Sequence, residues 1–296
     1  MFDLRDMQLL VALAQHEHFA RAAADCGISQ PAFSGRIRNM EKDFGVPLVK
    51  RGNRFLGLTR EGEVVLRWSR KMLADAEGLR QEVAALKGNL TGRLAIGAVP
   101  TALSFIAQVP AALRARHPDL TLEIISASST AIRRGLDDFS LDAGITYIDG
   151  EADPGFRIQP LYDETYVLLS PPDFAPRRKG TVTWAEAAAL PLCLLTRDMN
   201  NRRIIDAVFA DVGAVPRPVM ETNAFTAAFS QVASGAAATI APVKLADSLP
   251  LAPETVRLDL VEPTARHRIG LVTAEREPVP PSLTALAHVL EGLIKG

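Results

Sequence analysis

Apolar residues in the first 44 positions recur at intervals of three and four and predict three short helices, roughly Leu4 to His16, Phe19 to Cys26 and Gln30 to Phe44. Gly27 falls where the second helix needs a C-cap. Ser29 followed by Gln30-Pro31 supplies an N-cap and a proline tolerated in the first helical turn. Two helices joined by so short a turn have the layout of a helix-turn-helix, whose second helix enters the major groove of DNA. Gly45, Pro47, Gly52, Asn53 and Gly57 then punctuate a stretch holding Val46, Leu48, Val49, Phe55 and Leu58, which reads as a two-stranded wing. From Thr59 the spacing is helical again, with Val65, Trp68, Met72, Ala76, Leu79, Val83, Leu86 and Leu90 forming one seam. A seam sustained for roughly 30 residues, about 45 Å of helix, suits a second copy of the same helix and predicts a dimer. One long helix packed on its own chain is the alternative. The stretch GNLTG, Gly88 to Gly92, ends the helix and serves as a hinge.

Beyond residue 93 the text alternates short apolar runs with amphipathic ones: RLAIGAV, Leu103 to His117, LTLEIISA, Thr130 to Phe139 and LDAGITYI. That alternation predicts βαβ units and a largely parallel sheet. A second set runs through YVLLSP, LPLCLLT, Asn201 to Val212, PVMETN, Phe225 to Ser234 and AATIAPV, before HRIGLVTA and a closing helix from Ser282 to Ile294. The fold class is α/β with an all-α-rich amino-terminal domain. The expected divisions are a winged helix-turn-helix over 1–58, a linker helix and hinge over 59–92, and a two-lobed α/β domain over 93–296. Lobe I covers about 93–163 and 268–296, and lobe II about 164–267, joined by crossings near Leu161 to Tyr166 and near His267 to Leu271. Ligands in such sheets bind outside the carboxyl ends of strands and between lobes.

Composition adds limits. With 48% apolar and 23% charged residues in 296, the chain is long and apolar enough for two or three cored units rather than disorder. The net charge of −1 hides an asymmetry: residues 1–60 hold nine basic and six acidic side chains, and residues 93–296 hold nineteen and twenty-three. A basic amino end on an acidic body fits contact with a polyanion. The first residues carry Asp3, Asp6 and Glu17 and lack both a basic n-region and a clean apolar core, and the later apolar stretches are too short to cross a bilayer. A cytoplasmic protein without a membrane span is expected, with Cys26 and Cys193 both reduced.

The ordered set HFARAAADCGISQPAFSGRIRNMEKDFGVPLVKRGNRFLGLTREGE, followed by a 30-residue helix, resembles the LysR-type transcriptional regulators, and the resemblance runs from end to end of the chain. It implies a dimerising linker helix, an effector domain like the periplasmic solute-binding proteins, assembly as homodimers or homotetramers on double-stranded promoter DNA, and RNA polymerase as a further partner. Family members commonly show SRQI where this chain has Ser34-Gly35-Arg36-Ile37. An expected arginine is therefore missing and another sits one position later, about 100° around the helix. The family's half-site consequently does not carry over.

Candidate DNA contacts are Ser29, Gln30, Pro31, Ser34, Arg36 and Arg38 on the second helix and Arg51 and Arg54 on the wing. Gln30 is suited to adenine and Ser34 to several bases; Arg36 and Arg38 are suited to guanine or phosphate, and the wing arginines to phosphate or to a solvated turn. Pro31 suits the scaffold better than a contact. In the effector domain, Pro100, Thr101 and Ala102 stand where a strand becomes a helix, with free amide N–H groups expected to face an inter-lobe ligand. Ser128, Ser129 and Thr130 repeat the arrangement, and the resemblance puts position 129 against the effector. Ordinary N-capping is the alternative at both places. On lobe II, Arg197, Asn200, Asn201, Arg202, Thr222, Asn223 and Pro242 stand at strand ends or a helix start, with Arg197 or Arg202 placed to clamp a carboxylate or to remain a surface charge. These residues predict a small, anionic effector.

No catalytic residue, metal or cofactor is expected. The five histidines are scattered, no HExxH or GxSxG phrase occurs, and GAVPTAL lacks the Lys of a P-loop. A cytosolic small-molecule-binding protein is one rival, opposed by the amino-terminal 90 residues. VPTALSFIAQVP also resembles the peroxide-sensing branch of the family, which needs two cysteines in the second lobe. This chain has Cys193 alone there, inside the apolar run LPLCLL.

Overall fold

A computed structural model describes residues 2–51, 55–148, 150, 154–175 and 180–295. The chain divides into two compact units, residues 1–92 with 137–140, and residues 93–136 with 141–296.

The first unit begins with α1 (Leu4–His16), whose capping box pairs the Asp3 carboxylate with the Asp6 amide at 2.9 Å and the Asp6 carboxylate with the Asp3 amide at 3.1 Å. Next come α2 (Phe19–Asp25) and α3 (Gln30–Phe44). Ser29 accepts from the Ala32 amide, Pro31 occupies the first turn of α3, and Gly45 closes it at φ 71°. β1 (Val49–Arg51) pairs antiparallel with β2 (Phe55–Leu58) as the wing. Leu9, Leu10, Leu13, Phe33, Ile37, Met40, Leu48 and Leu66 share one core, with Phe19 edge-on to Phe33 and Phe55.

Thr59 caps α4 (Arg60–Ala85) by accepting from the Gly62 amide at 2.9 Å. Gly62 lies so close to the wing that a Cβ there would stand 2.0 Å from the Leu48 carbonyl oxygen. Helix α4 stops at Ala85, because the amides of Lys87, Gly88 and Asn89 turn back onto the carbonyls of Ala84 and Ala85 while Gly88 takes φ 80°. The apolar seam therefore ends earlier than its spacing predicts, and Leu90 is buried beyond it. Trp68, Met72, Leu79, Val83 and Leu86 are exposed on the single chain. An apolar cavity of about 380 Å³, lined by Phe2, Met7, Phe44, Val64, Trp68 and Met72, continues that seam.

In the second unit, β3 (Gly92–Ala98) leads through a 3₁₀ turn at Pro100–Ala102 into α5 (Leu103–Ile106) and α6 (Val109–Arg116). There follow β4 (Leu120–Ser126), α7 (Ser129–Asp137), β5 (Ala143–Tyr147) and β6 (Phe156–Glu164). After the single residue Thr165 the second lobe holds β7 (Tyr166–Ser170), β8 (Thr181–Thr183), α8 (Trp184–Ala188), β9 (Leu192–Leu195), α9 (Asn200–Asp211) and β10 (Pro218–Thr222). It continues with α10 (Phe225–Ala233), β11 (Thr239–Pro242), α11 (Val243–Ser248) and β12 (Val256–Val261). The chain returns to lobe I as β13 (His267–Ala274) and closes with α12 (Pro281–Lys295).

Lobe I is a five-stranded sheet ordered β4-β3-β5-β13-β6, and lobe II a four-stranded sheet ordered β11-β7-β12-β8 with the parallel pair β9 and β10 beside β11. The expectation of largely parallel sheets is corrected: β13 runs antiparallel to β5 and β6, and β7 antiparallel to β11 and β12. Both reversals follow from the two crossings, since a strand that returns from the other lobe enters its sheet from the opposite end. Within β6 the pairing with β13 slips by one residue at Leu161, a bulge that re-aims the strand just before it leaves lobe I. No helix among the described residues is long and apolar enough to cross a membrane.

Candidate functional site: a DNA reader and a buried polar cluster

The start of α3 presents Gln30, Pro31 and Arg38 as exposed side chains, with Ser34 half-buried behind them. Gln30 lines a cleft of about 630 Å³ shared with Glu17, His18 and Phe19 from the start of α2 and Phe55, Leu56 and Gly57 from the wing. Glu17 and His18 had no signal in the sequence, because neither belongs to the turn or to the second helix. Arg36 faces the other way. Its Nε donates to Asp6 Oδ1 at 2.6 Å and an Nη donates to both Asp3 carboxylate oxygens at 3.0 Å. The Asp6 pairing, above all, raises the Arg36 pKa, and the Asp6 amide followed by Arg36 holds the Asp3 carboxyl below its usual range. Without DNA, Arg36 is thus held at the α1 N-terminus rather than presented beside Gln30 and Arg38. Arg51 lies at the end of β1, and Arg54 falls outside the described residues.

In the second unit the seam between lobes is built around Glu164, the last residue of β6. Its side chain is 2% exposed. Tyr147, ending β5, donates to Glu164 Oε1 at 2.6 Å, and Tyr166, opening β7, donates to the same oxygen at 3.1 Å. The Tyr147 hydroxyl also lies 3.2 Å from Thr101 Oγ1 and accepts from Asn201 Nδ2 at 3.4 Å, while Tyr166 Oη is 3.5 Å from His267 Nδ1. Burial pushes the Glu164 carboxyl up to about 7, against the opposing pull of hydrogen bonds from Tyr147, Thr101, Tyr166 and Asn201. Burial, and then the Glu164 charge, raises Tyr147, Tyr162 and Tyr166 above the ordinary phenol range.

Among the predicted effector residues, the structure brings Thr101 into this cluster, 1% exposed, and sets Pro242 opposite Tyr166 in the β7–β11 ladder. Ser129 accepts from Thr146 Oγ1 at 2.9 Å and lines, with Arg133 and Tyr147, an adjoining cavity of about 200 Å³ in lobe I. The other predicted positions make local bonds or stand exposed. The Ala102 amide is not free but donates to the Val99 carbonyl at 2.9 Å. Ser128 accepts from the Ala131 amide at the start of α7, and Thr222 accepts from the Ala224 amide, so both act as local caps. Thr130, Arg197 and Asn223 are exposed, and Asn200 is half-buried at the start of α9. Arg202 is 1% exposed and fully engaged, donating to Asp206 at 2.8 Å and to Glu221 and the Leu195 carbonyl at 2.6 Å. Burial works against its charge and the two carboxylates outweigh it, raising its pKa. Arg202 bolts α9 to β9 and β10. Of the lobe II candidates, Asn201 joins this cluster through Tyr147; sequence reading missed Tyr147, Glu164, Tyr166 and His267, which no local motif marks. Among the described residues no three His, Cys, Asp or Glu side chains gather as metal ligands.

A winged helix-turn-helix with an apolar helical seam and a two-lobed α/β unit enclosing a polar cluster defines a DNA-binding regulator with a sensor domain. Residues 4–63 match the family described as bacterial regulatory helix-turn-helix protein, lysR family, and residues 87–293 match the LysR substrate binding domain. The chain belongs to the LysR family of transcriptional regulators. It is 27% identical over 300 residues to the DNA-binding transcriptional dual regulator OxyR of Escherichia coli K12, covering 99% of this chain and 96% of that protein. It is 33% identical over 198 residues to the SDS degradation transcriptional activation protein of a Pseudomonas species, covering 65% and 64%. The structure of a full-length OxyR variant from Pseudomonas aeruginosa superposes with a TM-score of 0.78 at 26% identity, covering 100% of this chain and 98% of that one. Full-length CbnR complexed with its target DNA shares the fold, with a TM-score of 0.71 at 22% identity over 99% and 100% of the chains.

Proposed function

We propose that this LysR-family regulator binds promoter DNA as a homo-oligomer and responds to a small molecule held at the seam between the lobes of its sensor domain. The observation that carries the reading is the buried cluster around Glu164. Thr101, Tyr147, Glu164, Tyr166 and Asn201 come from both lobes and from both sides of the Glu164–Tyr166 crossing, so a ligand that engages them favours one lobe arrangement over another. Gln30, Ser34 and Arg38 serve as the base-reading and phosphate-holding face, with Ser29 and Pro31 shaping the start of α3. Arg51 and Arg54 are assigned to phosphate. The exposed seam on α4 and the apolar cavity beside it support pairing with a second copy; contact with RNA polymerase belongs to the same reading.

Several relatives carry the name hydrogen peroxide-inducible genes activator. Peroxide sensing through a thiolate is the second reading, and the geometry supports it less. Cys193 is the one cysteine between residues 93 and 296, its side chain is fully buried, and burial raises its pKa, whereas a reactive thiol needs access and a low pKa.

The deciding experiment is a footprint of the purified protein on the DNA upstream of its own gene, at low salt, with and without a panel of small molecules and peroxide. Protection at paired sites whose extent changes with one compound supports the proposal. Protection that responds to peroxide alone, and is lost in Cys193→Ser, replaces it with the thiol reading.

A further inference from the structure

The ligand site carries an unmet demand of one kind. Glu164 Oε1 receives both tyrosine hydroxyls, while Oε2 is buried with no hydrogen-bond partner among the described residues. Asn201, 3% exposed, leaves its Oδ1 unpartnered in the same cluster. A carboxylate oxygen and an amide oxygen only accept, so what these two oxygens lack is donors. Arg202, a buried cation in α9, is consumed by Asp206, Glu221 and the Leu195 carbonyl. An anion would bring further acceptors to these two oxygens and would oppose ionisation of the Glu164 carboxyl.

The walls have matching chemistry. Tyr147, Tyr162 and Tyr166 are all the tyrosines in the chain, and all three surround Glu164. Aromatic faces attract cations, and the outer face of Tyr162 already does so, with the Lys244 ammonium 5.0 Å from its ring centroid. The bulge at Leu161 places Tyr162 and Glu164 at their present stations in the last residues of β6 before the crossing.

We propose that the effector is a small organic cation, an alkylammonium or guanidinium compound, whose N–H groups pair with Glu164 Oε2 and Asn201 Oδ1 and whose charge lies among the tyrosine rings. This rests on the reading of the inter-lobe seam as the effector site, and it reverses the sign of charge that Thr101, Ser129 and the lobe II arginines led the sequence to predict.

The test is calorimetric titration of the full-length protein with four-carbon probes of matched size: 1,4-diaminobutane, butylguanidinium, succinate and 1,4-butanediol, followed by footprints with the same compounds. At least one of the two cations binds tenfold or more tightly than succinate and the diol, and Glu164→Gln, which keeps the shape and removes the charge, weakens that cation by tenfold or more. The wild-type ranking decides the charge even where the variant does not fold. Succinate or the diol binding as tightly as the cations, neither cation binding at millimolar concentration, or a folded Glu164→Gln protein binding the cation unchanged overturns the proposal. If succinate instead binds and alters the footprint, only the cation fails and the seam remains an effector site. If no compound of any charge alters the footprint, the sensing reading fails with it.

Discussion

Arg36 and Arg38 stand two residues apart on α3, about 200° around the helix, and that rotation separates their roles. Arg36 closes onto Asp3 and Asp6 of the α1 capping box, whereas Arg38 is exposed and has no hydrogen bond or ion pair among the described residues. Arg38→Ala is expected to lower the slope of log affinity against log salt by about one unit in duplex titrations, the loss of one phosphate contact. Arg36→Ala should leave that slope unchanged and lower the thermal midpoint of the amino-terminal unit instead. An equal slope change in both variants would return Arg36 to the DNA face. The sequence showed that an arginine had moved by one position; it did not show where the displaced guanidinium went, because its partners lie 30 and 33 residues earlier on another helix.

Among the elements, those with strong caps were legible. The predicted bounds of α1 and α3 coincide with the structure because Asp3, Ser29, Pro31 and Gly45 fix their ends, and β13 coincides because its apolar run is clean. Strands β6, β8 and β12 and helices α8 and α11 were not read: β6 mixes polar residues with Pro160 and a bulge, and the others are six residues long or fewer. Helix α4 yields two predictions. Gly62→Ala drives a methyl into the Leu48 carbonyl and should cost about 1 to 3 kcal/mol in urea unfolding of the amino-terminal unit, with the wing displaced. Leu79→Glu with Val83→Glu places two charges on the exposed seam. Sedimentation of this double variant should show a smaller assembly than wild type, and an unchanged sedimentation coefficient would remove α4 from the interface.

At the scale of the whole molecule, the polar cluster exists only through topology. Thr101, Tyr147, Glu164, Asn201 and His267 span more than half the chain, and two crossings bring them to one place. Thr101 and Asn201 were legible, from the strand-to-helix turn and the helix start they occupy. The cluster also sets how stability varies with pH. The carboxyl of Glu164 is raised from 4.5 to about 7 by folding, so between those values the folded chain holds a proton that the unfolded chain has released. Without ligand, stability therefore falls as pH rises through that window and levels off above 7. From pH 5 to 8 the wild-type sensor domain should lose on the order of 2 to 3 kcal/mol that Glu164→Gln does not lose, in urea titrations followed through Trp184. Parallel curves for the two proteins would assign the pH dependence elsewhere.

The placement of the aromatic residues makes the protein its own optical reporter. The chain holds two tryptophans: Trp68 is exposed on the α4 seam, and Trp184 is buried in lobe II with its ring 6.2 Å from Tyr166. The three tyrosines all sit around Glu164, so Trp184 reports on the surroundings of the polar cluster through Tyr166. Trp68 reports on whether its seam is covered. Replacing either tryptophan by Phe isolates the signal of the other, so the cluster and the assembly can be followed in two unlabelled variants.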